Sequence, residues 1–218
     1  MIEWNKIDTV LLDMDGTLLD LNFDNHFWQE FVPLKFSEKA GIPIEAAKRQ
    51  LAPRFKSMEG KLEWYCLDYW SGVLELNIAG LKAEISGLIA ILPHVTEFLE
   101  KVRQSSRKLI LVTNAHRDSL GIKMDKTCLH SFFDDIISSH DIGLAKEQAG
   151  FWPLLQNRHP FMKEHTLLVD DSLAVLHSAR QFGIGYLISV SKPDSTRPKK
   201  LIADFPAIED FRELMVGL

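Results

Sequence analysis

The sequence predicts an α/β fold, in which a parallel and doubly wound sheet carries a separate helical domain inserted after its first strand. Two observations predict this fold. Short apolar runs alternate with stretches of helical periodicity, as they do when each strand is followed by a crossover helix. The first two runs are separated by roughly seventy residues without a convincing strand, whereas a simple crossover needs only about a dozen residues.

The apolar runs predict the strands. Each run is too short for a helix and does not alternate with polar residues, so it is expected to be buried on both faces of the sheet. The runs are TVLLD at 9–13, LILVT at 109–113, DDIISS at 134–139, TLLVD at 166–170 and YLISV at 186–190.

Helical periodicity fills most of the remaining chain. In the part that carries the sheet, the predicted helices are 93–104, 118–127, 147–156 and 172–182, and Gly183 is expected to end the last of them. In the inserted part they are 25–32, 44–55, 62–73 and 81–89. We therefore predict a core formed by residues 1–20 and 93–218, and a helical domain formed by residues 21–92.

Composition narrows the class of function. The net charge of −5 over 218 residues argues against a general surface for nucleic acid polymers or anionic membranes. No apolar run approaches the ~18 residues of a membrane span, and the first residues do not resemble a secretion signal. The two cysteines, Cys66 and Cys128, cannot form a disulfide framework, so a reducing, cytoplasmic compartment is expected. The sequence leaves the oligomeric state open.

Polar side chains follow the predicted strands at the points where these strands end. Ligands of parallel sheets bind at this edge, so we expect these side chains to lie together. The residues are Asp13, Asp15, Thr113, Asn114, Lys146, Asp170 and Asp171. Four neighbouring carboxylates cannot all stay ionised unaided. A divalent cation resolves this, and an all-oxygen site formed by Asp13, Asp15, Asp170 and Asp171 suits Mg²⁺.

The same residues predict a chemical role. A carboxylate such as Asp13 can attack phosphorus and form an aspartyl-phosphate. Asp15 is two residues away and points the same way along an extended chain, so it can handle the proton of the leaving oxygen. The Thr113 hydroxyl can hold phosphate oxygens, while Lys146 supplies a balancing charge. Thr17 can orient a carboxylate by hydrogen bonding.

Four motifs in order resemble those of the haloacid dehalogenase superfamily of phosphohydrolases. They are DMDGT at 13–17, VTN at 112–114, Lys146 after the third strand, and VDDS at 169–172. The resemblance covers the whole catalytic core. It implies a Rossmann-like sheet of strand order 5-4-1-2-3, with a helical cap domain inserted after the first motif.

The resemblance implies the same catalytic roles and adds detail to the metal site. The backbone carbonyl of Asp15 is expected to bind Mg²⁺, and Asp171 is favoured over Asp170 as the direct ligand from the last motif. Lys146 follows Ala145, where many members of the superfamily have proline. This departure concerns the rigidity of the loop and leaves the lysine itself in place.

Phrases in the inserted part and in the loops resemble a narrower group, the bacterial GMP/IMP-type purine 5'-nucleotidases of this superfamily. These phrases are FDNHFW at 23–28, LEWYCLDYW at 62–70, TNAH at 113–116 and KPDS at 192–195. The implied substrate is a small phosphate monoester, a purine nucleoside 5'-monophosphate. The residues expected to touch it beside the core motifs are Thr17, Asn25, His26, Asn114, His116 and Arg117.

Several alternatives remain open at this stage. A dehalogenase of the same fold lacks the second aspartate, so Asp15 argues against that activity. A phosphosugar phosphatase or a phosphoglucomutase-like mutase would keep every motif, and a binding protein on a retired enzyme fold would not be catalytic. The aromatic run LEWYCLDYW is typical of buried helix core. His26, His116 and His140 show no metal-ligand spacing along the chain, so structural or solvent-facing roles are expected for them.

Overall fold

A computed structural model of the chain describes residues 2–218 and contains a six-stranded sheet. The strands are β1 Thr9–Leu12, β2 Lys108–Thr113, β3 Asp135–Ser138, β4 Thr166–Asp170, β5 Tyr186–Val190 and β6 Ala207–Ile208. All neighbours are parallel, in the order β3-β2-β1-β4-β5-β6. The predicted strands and their order are confirmed. The edge strand β6 was not predicted, because two residues carry too little pattern to recognise.

The helices that follow β2 lie on both faces of the sheet, as in other doubly wound folds. The helices of the chain are α1 Asn22–His26, α2 Val32–Ala40, α3 Ile44–Lys56, α4 Leu62–Tyr65, α5 Leu67–Leu74, α6 Ile78–Glu84, α7 Val95–Gln104, α8 Arg117–Thr127, α9 Ser139–Ile142, α10 Phe151–Arg158 and α11 Leu173–Phe182. Gly183 ends α11 in a left-handed conformation, as predicted.

Four predicted helices differ from the structure. The prediction ended the first inserted helix at Val32, but the helical backbone continues from α1 through a π-helical turn, Phe27–Phe31, into α2, which has Pro33 in its first turn. In the core, the predicted helix 147–156 begins only at Phe151. The predicted helix 62–73 is broken at Cys66, whose backbone is extended and whose sulfur accepts the N–H of Tyr69. The predicted helix 81–89 is displaced toward the N-terminus and becomes α6.

Both faces of the sheet are buried, which explains the continuous apolar runs. On β1, the side chains of Val10 and Leu12 join one apolar cluster, while Leu11 joins the cluster on the opposite face. Helices α7 and α8 cover the first face, and α10 and α11 cover the second. A third cluster, centred on Phe27 and Trp70, lies within the helices between β1 and β2.

The chain leaves the sheet and returns to it through two neighbouring segments. Leu92 N–H donates to the Leu18 carbonyl at 2.9 Å, and Asp20 N–H donates to the Ala90 carbonyl at 2.9 Å. The chain therefore enters and leaves helices α1–α6 at one place. Within residues 2–218, none of the helices combines the length and the apolar character that crossing a membrane requires.

Candidate active site

The parallel pairing of β1 with β4 brings three carboxylates together. Leu12 is paired with Val169, and the N–H of Asp13 donates to the Val169 carbonyl at 3.0 Å. Asp13 therefore lies beside Asp170 at the carboxyl end of the sheet. One carboxylate oxygen from each of Asp13, Asp170 and Asp171 lies within 4.8 Å of the others. Strand register alone places these negative charges at one point.

A single buried lysine neutralises part of this charge. Lys146 Nζ donates to Asp13 Oδ1 at 2.5 Å, to Asp170 Oδ2 at 2.7 Å and to the carbonyl of Val112 at 3.1 Å. Burial disfavours the charged lysine, but Asp13 and Asp170 outweigh this effect and raise the pKa of Lys146 above its usual range. The ammonium is therefore permanent, and it fixes one oxygen of Asp13 while leaving the other free.

The buried Lys146 and the exposed Lys200, whose Nζ lies 3.4 Å from Asp171 Oδ2, are two ammonium groups against three carboxylates, so the cluster retains negative charge. Burial raises the pKa of Asp13 to about 6, with Lys146 opposing the rise. Burial also raises the pKa of Asp171 to about 6, and the neighbouring Asp13 adds to the effect. These carboxyl groups resist ionisation chiefly because they are buried. The surplus charge and the all-oxygen donor set fit a hard divalent cation held by these carboxylates.

The loop after β1 requires glycine at one position. Gly16 has φ +83°, a conformation that other residues adopt at a cost. A Cβ atom at Gly16 would lie 2.8 Å from Cγ of Asp171, which is closer than such atoms approach. Gly16 therefore allows the loop to turn and leaves space for the carboxylate. The neighbouring Thr17 is fully buried, and its hydroxyl has no hydrogen-bond partner among residues 2–218.

Asp15 is held by a network of charges from the helices. Lys123 Nζ on α8 lies 2.6 Å from Asp15 Oδ1 and 2.7 Å from Asp24 Oδ2. The contact between Lys123 and Asp15 is an ion pair, but its angles do not meet those of a hydrogen bond. Lys82 Nζ on α6 lies 2.5 Å from Asp24 Oδ1 and donates to Ser119 Oγ at 3.0 Å. Two buried lysines thus balance two carboxylates between the inserted helices and the sheet.

The two carboxylates of this network differ in their affinity for protons. Burial raises the pKa of Asp15 to about 6, with Asp24 adding to the rise and Lys123 opposing it. Burial alone would also raise the pKa of Asp24, but Lys123 and Lys82 together outweigh it and hold that pKa below its usual range. Asp24 is therefore permanently charged, whereas Asp15 can exchange a proton near neutral pH.

A cavity of about 310 Å³ opens above the carboxylates, at the small end of the range for ligand sites. Its floor is polar, and its walls carry aromatic side chains from the inserted helices. These aromatic residues are Trp28, Phe55, Trp64 and Tyr65. A larger groove of about 620 Å³ beside Phe211 lacks the carboxylate cluster. Chemistry rather than volume therefore identifies the site.

Tyr65 links the inserted helices to the loop that carries Lys146. Its hydroxyl donates to Glu147 Oε1 at 2.9 Å, and Asn114 Nδ2 donates to Glu147 Oε2 at 2.9 Å. Asn114 Oδ1 also accepts the N–H of Lys146 at 2.9 Å. Asn114 therefore positions the lysine backbone, and the carboxylate of Glu147 joins the two sides of the cavity.

Most of the site residues predicted from the sequence line this cavity. They are Asp13, Asp15, Asn25, Thr113, Asn114, His116, Lys146, Asp170 and Asp171. Thr17, His26 and Arg117 are not among the lining residues. Arg117 is exposed and donates to Asp141 Oδ1 at 2.8 Å. Contact of these three residues with substrate stays a prediction that the geometry does not support.

Sequence reasoning missed several residues of the site. Asp24, Lys82 and Lys123 are far apart along the chain, so nothing in their spacing indicated that they would pair. The aromatic run had been interpreted mainly as core, which is correct for Trp70, whereas Trp64 lines the cavity. Other residues of the site that were missed include Trp28, Phe55, Tyr65, Ser119 and Glu147.

The family of haloacid dehalogenase-like hydrolases matches residues 10–188. The chain is 39% identical over 217 residues to the GMP/IMP nucleotidase YrfG of Escherichia coli. The aligned residues cover 100% of this chain and 98% of that protein.

Solved structures share the fold. A HAD phosphatase from Thermococcus onnurineus gives a TM-score of 0.79 at 22% identity, covering 97% of this chain and 98% of that chain. The HAD-hydrolase YfnB from Bacillus subtilis, solved with bound magnesium, gives a TM-score of 0.66 at 21% identity, covering 95% and 96%.

Proposed function

Because the chain belongs to the family of haloacid dehalogenase-like hydrolases, we propose that it removes phosphate from purine nucleoside 5'-monophosphates with the help of Mg²⁺. The observation that carries this proposal is the position of Asp13 and Asp15 under a cavity with aromatic walls. The 39% identity to a GMP/IMP nucleotidase supports the same substrate class. A purine offers a large flat surface that such walls can stack against.

In the proposed reaction, the free oxygen of Asp13 attacks phosphorus and the bond from phosphorus to the 5'-oxygen breaks. Asp15 donates its proton to that oxygen, which leaves as the nucleoside. Asp15 then takes a proton from water, whose oxygen attacks the aspartyl-phosphate and regenerates Asp13. Lys146 holds Asp13 in place throughout, and Thr113, which lines the cavity, would hold a phosphate oxygen through its hydroxyl.

We assign the metal to the cluster of Asp13, Asp170 and Asp171, together with the backbone carbonyl of Asp15. Mg²⁺ bound there would supply positive charge against the phosphate oxygens and the nucleophile. Both oxygens of Asp170 already have donors, from Lys146 and from the N–H of Ser172. Asp171 has only a contact of 3.4 Å with Lys200, which supports Asp171 as the more available ligand.

We propose that residues 21–92 form a cap that closes over the substrate and excludes bulk water. Two features support this division: the separate apolar cluster around Trp70, and the entry and exit of the chain at neighbouring points near Leu18 and Leu92. A cytoplasmic location is proposed on the strength of the free cysteines Cys66 and Cys128, which are typical of reducing compartments.

A panel of phosphate esters tests the proposal. With Mg²⁺ present, we expect kcat/KM for GMP and IMP to exceed that for CMP, UMP, glucose 6-phosphate and glucose 1-phosphate, and EDTA to abolish turnover. Asp13→Asn should lower kcat on the order of 10³-fold or more. Asp8→Asn, at an exposed aspartate before β1, is the matched control and should keep full activity.

Other results would change the assignment. A sugar phosphate as the best substrate would replace the nucleotidase by a phosphosugar phosphatase. Conversion of one sugar phosphate into another without release of phosphate would indicate a mutase. Turnover in EDTA, or full activity of Asp13→Asn, would reject the mechanism itself.

A further inference from the structure

A second group of metal-ligating side chains lies where the inserted helices meet the sheet. One donor atom from each of Cys66, His116 and His140 lies within 4.8 Å of the others, and all three residues are partly buried. Cys66 comes from the break between α4 and α5. His116 precedes α8, and His140 lies in α9. The sequence spacing gave no sign that these residues would meet, because they belong to three separate segments.

The two histidines are brought together by local capping. Ser138 accepts the N–H of His140 at 3.2 Å, and its own hydroxyl donates to the carbonyl of Ala115 at 2.7 Å. Ala115 directly precedes His116, so this one serine ties the start of α9 to the loop after β2. The imidazole rings meet edge to face, with centroids 4.9 Å apart.

Two observations concern the donor atoms of this group. His140 Nε2 is shielded from solvent and has no hydrogen-bond partner among residues 2–218, and a buried nitrogen without a partner points to a ligand. On the other ring, His116 Nδ1 accepts the N–H of Asp118 at 3.4 Å, and His116 Nε2 lies 3.6 Å from Oδ2 of Asp68, an exposed carboxylate outside the group.

The donor set distinguishes this group from the carboxylate cluster. Sulfur and two imidazole nitrogens suit Zn²⁺, whereas Mg²⁺ prefers oxygen alone. Coordination through His116 Nε2 would require the ring proton to move to Nδ1, which would exchange the N–H of Asp118 as its partner for Asp118 Oδ2, 3.7 Å away. A carboxylate in that position is the usual partner of a histidine that binds metal.

From this arrangement we propose that Cys66, His116 and His140 bind one zinc-like cation that joins the inserted helices to the core. Bonds of about 2.0–2.3 Å to zinc place tetrahedral donors roughly 3.5 Å apart. Donors separated by up to 4.8 Å would therefore have to draw together by about 1 Å. Cys66 lies on one side and the histidines on the other, so binding pulls the inserted helices toward the sheet.

This movement has a consequence for turnover. His116 lines the catalytic cavity, so the cation would lie beside the passage that substrate and product use. A metal that holds the two parts together slows their opening, and product release slows with it. This consequence depends on the proposed phosphatase activity, whereas the metal site itself does not.

Spectroscopy with Co²⁺ tests the site without any substrate. In protein saturated with Mg²⁺, we expect one Co²⁺ per chain to give the near-ultraviolet absorption of a thiolate–cobalt bond, and Zn²⁺ to displace it. Cys66→Ser should abolish that absorption, and His140→Gln should weaken binding on the order of 10-fold or more. Cys128→Ser changes an exposed cysteine and should leave the absorption intact.

The possible results test the metal site, the proposed closure and the phosphatase activity separately. No thiolate absorption in the unmodified chain, or absorption that survives Cys66→Ser, would overturn the site. Far-ultraviolet circular dichroism of each variant establishes that it is folded.

For the effect on turnover, hydrolysis of an aryl phosphate is followed against Zn²⁺ concentration at saturating Mg²⁺. We expect Cys66→Ser to need on the order of 10-fold more Zn²⁺ for half inhibition. Equal inhibition of both proteins would overturn the proposed closure, and no hydrolysis by either would count against the phosphatase proposal alone.

Discussion

Replacement of Lys123 by methionine tests the charge network that holds Asp15. The substitution keeps a similar length of apolar side chain and removes the ammonium between Asp15 and Asp24. Lys123 Nζ lies 2.6 Å and 2.7 Å from these two carboxylates, and the lysine is 1% exposed. At an effective dielectric constant of about 20, each contact is a gross attraction of about 6 kcal/mol.

Most of that attraction is offset by the cost of removing the charges from water. Breaking a buried ion pair from one side costs about 3–5 kcal/mol, because the partner is left unpaired. We therefore expect Lys123→Met to lower the free energy of unfolding in urea by about 3–5 kcal/mol. Lys126→Met, at an exposed position on the same helix, is the matched control and should cost less than about 0.5 kcal/mol.

Loss of Lys123 should also change the pH dependence of catalysis. Without Lys123, the pKa of Asp15 should rise further, so the charged form that activates water is lost at a higher pH. The acidic limb of the kcat–pH profile, measured with GMP at saturating Mg²⁺, should move upward by about one pH unit or more.

A double variant distinguishes pairing from general damage. Lys123→Met combined with Asp24→Asn removes one charge of each sign, and its cost should fall below the sum of the single costs by about 1 kcal/mol or more. Strictly additive costs, together with a pH profile that does not move, would refute the network as described.

Three further expectations concern the rest of the site. Gly16→Ala should lower affinity for Mg²⁺ in calorimetry and destabilise the protein by about 1–3 kcal/mol, because φ is +83° and the new Cβ would press on Asp171; unchanged affinity would contradict this. The raised pKa values of Asp13 and Asp171, about 6, mean that metal-free protein loses stability as pH rises from about 4 to about 6. Mg²⁺ should therefore raise Tm more at about pH 7.5 than at about pH 5, and an equal rise would contradict the shifts. Trp64→Leu should raise KM for GMP roughly 10-fold while kcat for an aryl phosphate changes little, and unchanged KM would remove Trp64 from the base site.

The sheet and the carboxylate cluster could be predicted because each depends on local sequence and simple topology. A strand buried on both faces must be apolar throughout, and parallel strands must bring Asp13 and Asp170 to the same edge. The residues that follow each strand are thereby placed without knowledge of any helix.

The part of the site that depends on the inserted helices could not be predicted in this way. The positions of Lys82 and Lys123 depend on how α6 packs against α8, and no periodicity within either helix records that packing. Trp64 and Trp70 belong to the same aromatic run, yet the break at Cys66 lets one line the cavity while the other packs in the core. A single extended residue thus decides which of these side chains line the cavity.

The central claim is that Asp13 carries the phosphoryl group during turnover. Acid quenching of the enzyme during GMP hydrolysis, followed by borohydride, reduces an aspartyl-phosphate to homoserine, which peptide mass spectrometry locates. The account predicts homoserine at position 13, dependent on both substrate and Mg²⁺. Intact aspartate at that position while phosphate is released, or reduction at another carboxylate instead, would contradict it.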